Sequence, residues 1–335
     1  MKAAVLSPVA WRTPPRHYGP WEQVTSNIAE GLVKLGVDVT LFATGDSITS
    51  GTLASVCEKG YEEDRTQDAK VLECLHISNL MDRADDFDII HNNFDFLPLT
   101  YSGLIKTPVI TTIHGFSSQR IIPVYKKYNH IGYYVSISNS DRSAELDYLA
   151  TVYNGLDTRD FVFNDNPEDY LLYFGRIHPD KGTAEAIEIA KKSKRKLLIA
   201  GIVQDEGYFK EKIEPQFSDQ IEYIGSAGPD KRNALLGNAL ALLHPINFNE
   251  PFGLSVAEAM LCGTPVIAFN KGSMPELIKD NETGFLVNNI DEAVNAVERL
   301  KDLKREDCYN WATAQFSCDK MVSDYLKLYQ QILGR

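Results

Sequence analysis

The chain has 335 residues and only five cysteines, an odd number with no C-x-x-C pair among them. That excludes a disulfide framework and leaves no zinc-ligand spacing. Cys57, Cys74, Cys262, Cys308 and Cys318 read instead as buried free thiols in a reducing compartment. Long apolar runs are missing too. The stretch from Met1 to Ala10 is too short in its apolar part for a signal peptide or a span, and it reads as a first β-strand. Basic charge is scarce: the formal net charge is −12, shared evenly between the two halves. A nucleic-acid binder needs a basic face, and a polybasic membrane anchor needs a basic cluster. The expectation is therefore no nucleic-acid partner, no stable membrane insertion, at most transient membrane contact, and a cytoplasmic location. Lys126 and Lys127 beside Tyr125 and Tyr128 read as a solvated helix face. Low-complexity tracts and repeats are absent. No D-x-D stands near a candidate site, since Asp86 and Asp88 precede a strand and read as surface.

What is present is an alternation of short apolar strands and amphipathic helices. Strands are expected at Ala3 to Leu6, Val37 to Ala43, Phe87 to His91, Pro108 to Ile113 and Tyr133 to Ile137. A helix is expected from Gln23 to Leu35, closed by Gly36. A second series follows the polar stretch Asn164 to Asp169. Its strands are Leu171 to Phe174, Lys196 to Ala200, Ile221 to Ile224, Ala239 to Leu243 and Val266 to Phe269. Helices cover Gly182 to Lys192, Lys231 to Leu236 and Pro275 to Ile278, and an amphipathic one runs from about Cys318 to Leu333. The pattern is α/β with two Rossmann-like domains. The expected division is 1–162, 163–317 and a final helix at 318–335.

Four segments carry residues suited to chemistry, each at the carboxyl end of an expected strand, where open α/β sheets bind ligands. In Leu6 to Val24 a strand enters a Pro/Gly loop and then a helix. Gly19 lets backbone approach a ligand closely, and Pro20, which has no N–H, suits a first helical turn. In Thr111 to Gly115, His114 follows a strand and precedes a glycine. His91, Asn92 and Asn93 end the preceding strand and face the same rim. In Phe174 to Gly182, Gly175 is followed by Arg176 and Lys181, a planar fork and a compact charge that can converge on one diphosphate.

The most informative segment is Asn249 to Met260, NEPFGLSVAEAM. A helix is expected to begin near Leu254 or Ser255, with Glu258 in about its first turn and Glu250 in the loop facing it. Free N–H groups and the positive helix end suit a phosphate. Carboxylates suit paired sugar hydroxyls. Both properties together fit a sugar joined to a diphosphate. The base pocket is open between Gly201-Ile202 and Gly225-Ser226.

This glutamate–seven residues–glutamate pattern, followed by Cys262 to Ala268, resembles glycosyltransferase family 4, and the resemblance covers essentially the whole chain. It implies the GT-B architecture, two Rossmann-like domains facing each other across a cleft, with the last helix crossing back to the N-terminal domain. It implies a retaining transferase that moves a hexose from a nucleotide-diphosphate sugar to a hydroxyl of a saccharide, glycoconjugate or small metabolite. A UDP-sugar is favoured, with GDP-mannose as the second candidate. By the same resemblance the catalytic set is His114, Arg176, Lys181 and Glu250. The donor-binding set is Gly19, Gly175, Phe252, Gly253, Leu254, Ser255 and Glu258. Glu258 would bind ribose hydroxyls and Glu250 the hexose. Family members commonly carry two adjacent glycines where this chain has Gly19 and Pro20, so one of the two N–H donors is missing. No cofactor and no metal are expected. Two other classes fit the same fold, a nucleotide-sugar epimerase-like enzyme and a non-catalytic nucleotide or sugar binder.

Overall fold

The computed structural model describes residues 1–17, 19–116 and 118–334. The chain divides into two compact units: Met1–Leu156 joined by Cys318–Arg335, and Asp157–Ser317. The division after Leu156 falls a few residues ahead of the expected one at 162.

The first unit runs β1 (Lys2–Leu6), α1 (Pro20–Lys34), β2 (Asp38–Phe42), β3 (Thr52–Ala54), α2 (Ala69–Met81), β4 (Ile89–Asn92), β5 (Val109–Ile113), α3 (Ile122–Tyr128), β6 (Tyr133–Ser136) and β7 (Tyr148–Thr151). Its strands form one sheet in the order β3-β2-β1-β4-β5-β6-β7, and every pairing is parallel. The strands are short and almost wholly apolar, as a sheet covered on both faces requires. Helix α1 starts a turn earlier than its apolar pattern suggests, because Pro20 opens it. Val24, Ile28, Ala29 and Leu32 turn its buried face onto the sheet.

The second unit runs β8 (Tyr170–Phe174), α4 (Thr183–Ser193), β9 (Lys196–Ala200), the single-turn α5 (Glu206–Tyr208), β10 (Ile221–Tyr223), α6 (Pro229–Asn238), β11 (Ala241–His244), α7 (Leu254–Leu261), β12 (Val266–Phe269), α8 (Met274–Leu277), β13 (Gly284–Val287), α9 (Ile290–Arg299) and α10 (Arg305–Phe316). Its sheet is also all parallel, in the order β10-β9-β8-β11-β12-β13. The strand order reverses between β8 and β11, as it does between β1 and β4 in the first unit. Those are the topological switch points where ligands bind in such sheets.

The final helix, α11 (Cys318–Leu333), belongs to the first unit and lies along α1. Its Tyr325 and Tyr329 are fully buried. The Tyr329 hydroxyl is 2.7 Å from His91 Nδ1 and the Tyr325 hydroxyl is 2.7 Å from Thr112 Oγ1. His91 Nε2 meets the same Thr112 Oγ1 at 2.7 Å. These four side chains pin the helix to β4 and β5. His91 therefore does not face the ligand rim as its position suggested: it is wholly buried and spent on α11. Burial also lowers its pKa to about 3.

The thiols differ from expectation as well. Cys262 and Cys308 are buried, but Cys74 is exposed and Cys57 and Cys318 are half-buried. Among the described residues no helix is long and apolar enough to cross a membrane.

Candidate active site

In the first unit, the loop after β1 leads into α1 through Gly19, whose φ is 151°. A Cβ there would lie 2.9 Å from both Pro15 Cβ and Glu22 Oε2, so the turn accepts only glycine. Tyr18, just ahead of it, lies outside the described residues. Glu22 sits in the first turn of α1 and is buried, and its carboxylate accepts from the Trp11 N–H at 3.3 Å. Burial pushes its carboxyl up to about 7. The sequence reading passed over Glu22, although an acidic residue three positions after a helix-capping glycine is a signal in itself.

His114, beyond the end of β5, is buried, and its ring stacks on Trp21 with centroids 5.7 Å apart. Its Nε2 lies 3.0 Å from Asn93 Oδ1, which can only accept, so Nε2 carries the proton. Burial lowers the imidazole to about 3, which leaves a neutral ring with an acceptor at Nδ1. Asn93 Nδ2 is buried without a hydrogen-bond partner. The ends of β4 and β5 thus offer a donor on Asn93 and an acceptor on His114, the pair that a hydroxyl can satisfy.

In the second unit, the loops after β8 and β11 are locked together at the switch point. Asn247 N–H donates to Asp180 O at 2.7 Å. Gly182 has φ 74°, and a Cβ on it would lie 1.9 Å from Pro245 O. This close approach places Lys181 and Glu250 side by side. Lys181 Nζ pairs with Glu250 Oε2 at 2.5 Å, with each side chain about one-seventh exposed (15% and 14%). The ammonium also lies 4.6 Å from the centre of the Phe248 ring. His244, the last residue of β11, places Nε2 3.8 Å from the same Glu250 oxygen. That nitrogen is buried with no hydrogen-bond partner, and burial lowers the ring to about 4. Gly175 adjoins the cluster in sequence. Arg176 turns to Gln204, donating from Nη1 to Oε1 at 2.7 Å, and is half-buried.

Helix α7 begins at Leu254 and its capping residue, Gly253, has φ 95° and offers no side-chain cap. The N–H groups of Leu254 and Ser255 have no intrahelical partner, as at any helix start. Phe252 is 2% exposed, with its ring edge-on to Phe316 at 5.7 Å. Its side chain is core, so only its backbone can serve a ligand. The loop is held from behind by Ser273, whose N–H donates to Glu250 O at 3.0 Å and whose hydroxyl donates to Phe252 O at 2.5 Å. Glu258 is the fifth residue of α7, one step past the first turn, and is nearly buried. Arg232 Nη1 on α6 donates to Glu258 Oε1 at 3.0 Å. Burial raises the Glu258 carboxyl, and the Arg232 charge opposes that rise.

The structure thus brings Lys181, Glu250, Gly253, Leu254, Ser255 and Glu258 to one end of the second sheet, while Gly19 and His114 occupy the corresponding end of the first. Arg232, His244 and Ser273 were missed. A histidine ending a strand directly before Pro245 was the legible signal for His244. Nothing in the sequence singles out Arg232 among the charges of its helix. Among the described residues no three His, Cys, Asp or Glu side chains converge as a metal site would require.

Two protein-family models match the chain. One, described as Glycosyltransferase Family 4, matches residues 21–159, and the other, Glycosyl transferases group 1, matches residues 157–315. An uncharacterized glycosyltransferase of Methanocaldococcus jannaschii is 23% identical over 98% of this chain and 100% of its own length. An uncharacterized 41.2 kDa protein in the cps region of Klebsiella pneumoniae is 33% identical over 48% of this chain and 46% of that one, under half of its length. Among solved structures, Anabaena HepE in complex with UDP-glucose superimposes with a TM-score of 0.72, covering 99% of this chain and 100% of that one at 16% identity. The fold is GT-B, and with both of its units matched the chain belongs to glycosyltransferase family 4.

Proposed function

We propose that this glycosyltransferase is a retaining, metal-independent hexosyltransferase that uses a nucleotide-diphosphate sugar, a UDP-sugar in preference to GDP-mannose. The acceptor is a hydroxyl of a saccharide, glycoconjugate or small metabolite. The observation that carries this reading is the arrangement at the β8/β11 switch point. There Lys181 and Glu250 meet beside the uncapped start of α7, and Glu258 on that helix pairs with Arg232 of α6. The cations Lys181 and Arg176 and the positive end of α7 supply the charge that would otherwise call for a divalent ion. Glu258 suits the ribose hydroxyls and Glu250 those of the hexose. The UDP-glucose complex of HepE favours a uridine donor, by analogy of fold alone.

In this mechanism the bond from sugar C1 to the β-phosphate oxygen breaks, and a bond from C1 to the acceptor oxygen forms on the same face. The acceptor proton passes to the departing phosphate oxygen, and the nucleoside diphosphate leaves. No protein base is needed. A neutral His114 that holds its proton on Nε2 suits a hydrogen-bonding role towards sugar hydroxyls rather than proton abstraction. The reading includes a cytoplasmic setting, which the unpaired cysteines favour.

The test is acceptor-dependent release of nucleotide from a panel of UDP- and GDP-sugars. Glu250→Ala should lower turnover about a hundredfold or more while nucleotide affinity persists. Nucleotide release with no need for an acceptor would favour an epimerase-like reaction. Full turnover by the Glu250→Ala variant would remove Glu250 from the mechanism.

A further inference from the structure

His244 belongs to none of the roles assigned above, yet it closes the back of the Lys181–Glu250 pair. The imidazole is 6% exposed, and its Nε2 makes no hydrogen bond. Glu250 Oε2 lies 3.8 Å from it, the same oxygen that Lys181 Nζ holds at 2.5 Å. A carboxylate repels an imidazole lone pair and attracts an N–H, so the favoured tautomer carries its proton on Nε2. One carboxylate oxygen therefore faces two donors, one engaged and the other about half an ångström beyond hydrogen-bond range.

The arrangement matters because Lys181 has two duties in the proposed function. It neutralises Glu250, and it serves the donor diphosphate. A Glu250 carboxylate that is 14% exposed cannot lose the counter-charge of Lys181 without a large penalty. We propose that His244 is a positioning residue that takes over Glu250. As the donor diphosphate draws Lys181 away, the His244 Nε2–H closes onto Glu250 Oε2 and holds that carboxylate aimed at the hexose. No proton is transferred in this step, because a neutral imidazole donates and a carboxylate accepts. The exchange lets one lysine act on the phosphate without leaving a bare buried carboxylate behind. This inference rests on the donor site proposed above.

The experiment is calorimetric binding of UDP to the full-length protein, to His244→Leu and to His244→Gln, each repeated in a Glu250→Gln background. Circular dichroism and thermal unfolding check that each variant is folded. His244→Leu should weaken UDP about tenfold or more, the loss of one hydrogen bond to a charged group. His244→Gln keeps an N–H donor and should recover most of that loss. In the Glu250→Gln background, where no charge needs holding, the effect of His244→Leu should shrink to within about threefold. Equal losses in both backgrounds would assign His244 to packing and overturn the inference. So would UDP binding that is indifferent to His244→Leu, which would leave the donor site standing. Failure of the unmodified protein to bind UDP, GDP or ADP would overturn the donor reading and this inference with it.

Discussion

At the scale of single residues, the site works by setting charge against burial. Glu258 is a nearly buried carboxylate whose burial-raised pKa is opposed by Arg232, with Nη1 3.0 Å away. Replacing Arg232 by Met should drive the Glu258 carboxyl higher and weaken nucleotide binding about tenfold or more. The measurement is UDP affinity across pH 5 to 9, in which the variant should bind better only towards the alkaline end. Glu22 gives a stability prediction of defined sign. Burial places its folded pKa at about 7, against 4.5 for the unfolded chain. Folding is therefore favoured below the unfolded value and loses that advantage as pH rises through 7. Glu22→Gln removes the titration, so the variant should gain roughly 3 kcal/mol relative to the parent between pH 4 and pH 8. Urea unfolding at the two pH values checks this, and an unchanged difference would mean the carboxyl is not held protonated.

The residues that sequence alone exposed were those fixed by local chemistry. Glu250, Lys181 and the glycines could be read because loop, helix start and charge sit within a few positions of one another. Their partners could not. Lys181 meets Glu250, and Arg232 meets Glu258, only because β8, β11, α6 and α7 are brought together by a parallel sheet, and a linear pattern carries no such register. His91 shows the opposite failure. Its place at a strand end looked like a ligand rim, but Tyr329 of α11, far along the chain, claims its Nδ1 and Thr112 of β5 its Nε2.

At the scale of elements, both units rest on strands whose apolar runs announced them, such as Leu171 to Phe174 and Val109 to Ile113. Elements with mixed composition were invisible. Thr52–Ala54 and Tyr148–Thr151 are edge strands of the first sheet, only partly buried, so no continuous apolar run marks them. Helix α11 is where the element scale becomes energetic. Its attachment runs through a buried polar chain, Tyr329 to His91 to Thr112 to Tyr325. Tyr329→Phe leaves His91 Nδ1 buried without a partner and should cost about 1–3 kcal/mol. Chemical denaturation would show this, together with loss of hydrogen-exchange protection in residues 318–333. The same loop locking that builds the site makes Gly182 intolerant of a side chain, because the Cβ would lie 1.9 Å from Pro245 O at a φ of 74°. Gly182→Ala should cost at least about 1–2 kcal/mol and should separate Lys181 from Glu250, lowering donor turnover even where the protein remains folded.

At the scale of the whole molecule, the two sheets repeat one topology, each with a reversal of strand order at its centre. The family places a glycosyl transfer on that frame, and the charges at the second switch point favour a diphosphate-linked sugar. The most direct test is calorimetric or thermal-shift binding of UDP, GDP and ADP, with and without EDTA, to the parent protein and to Lys181→Ala. Ligand at about 100 times its dissociation constant should add roughly 2.7 kcal/mol of stability. The account predicts that UDP stabilises the parent to that extent, that EDTA changes nothing, and that Lys181→Ala loses most of the effect. A shift that vanishes with EDTA would contradict the metal-free site. The absence of any shift with all three nucleotides would contradict the donor site itself.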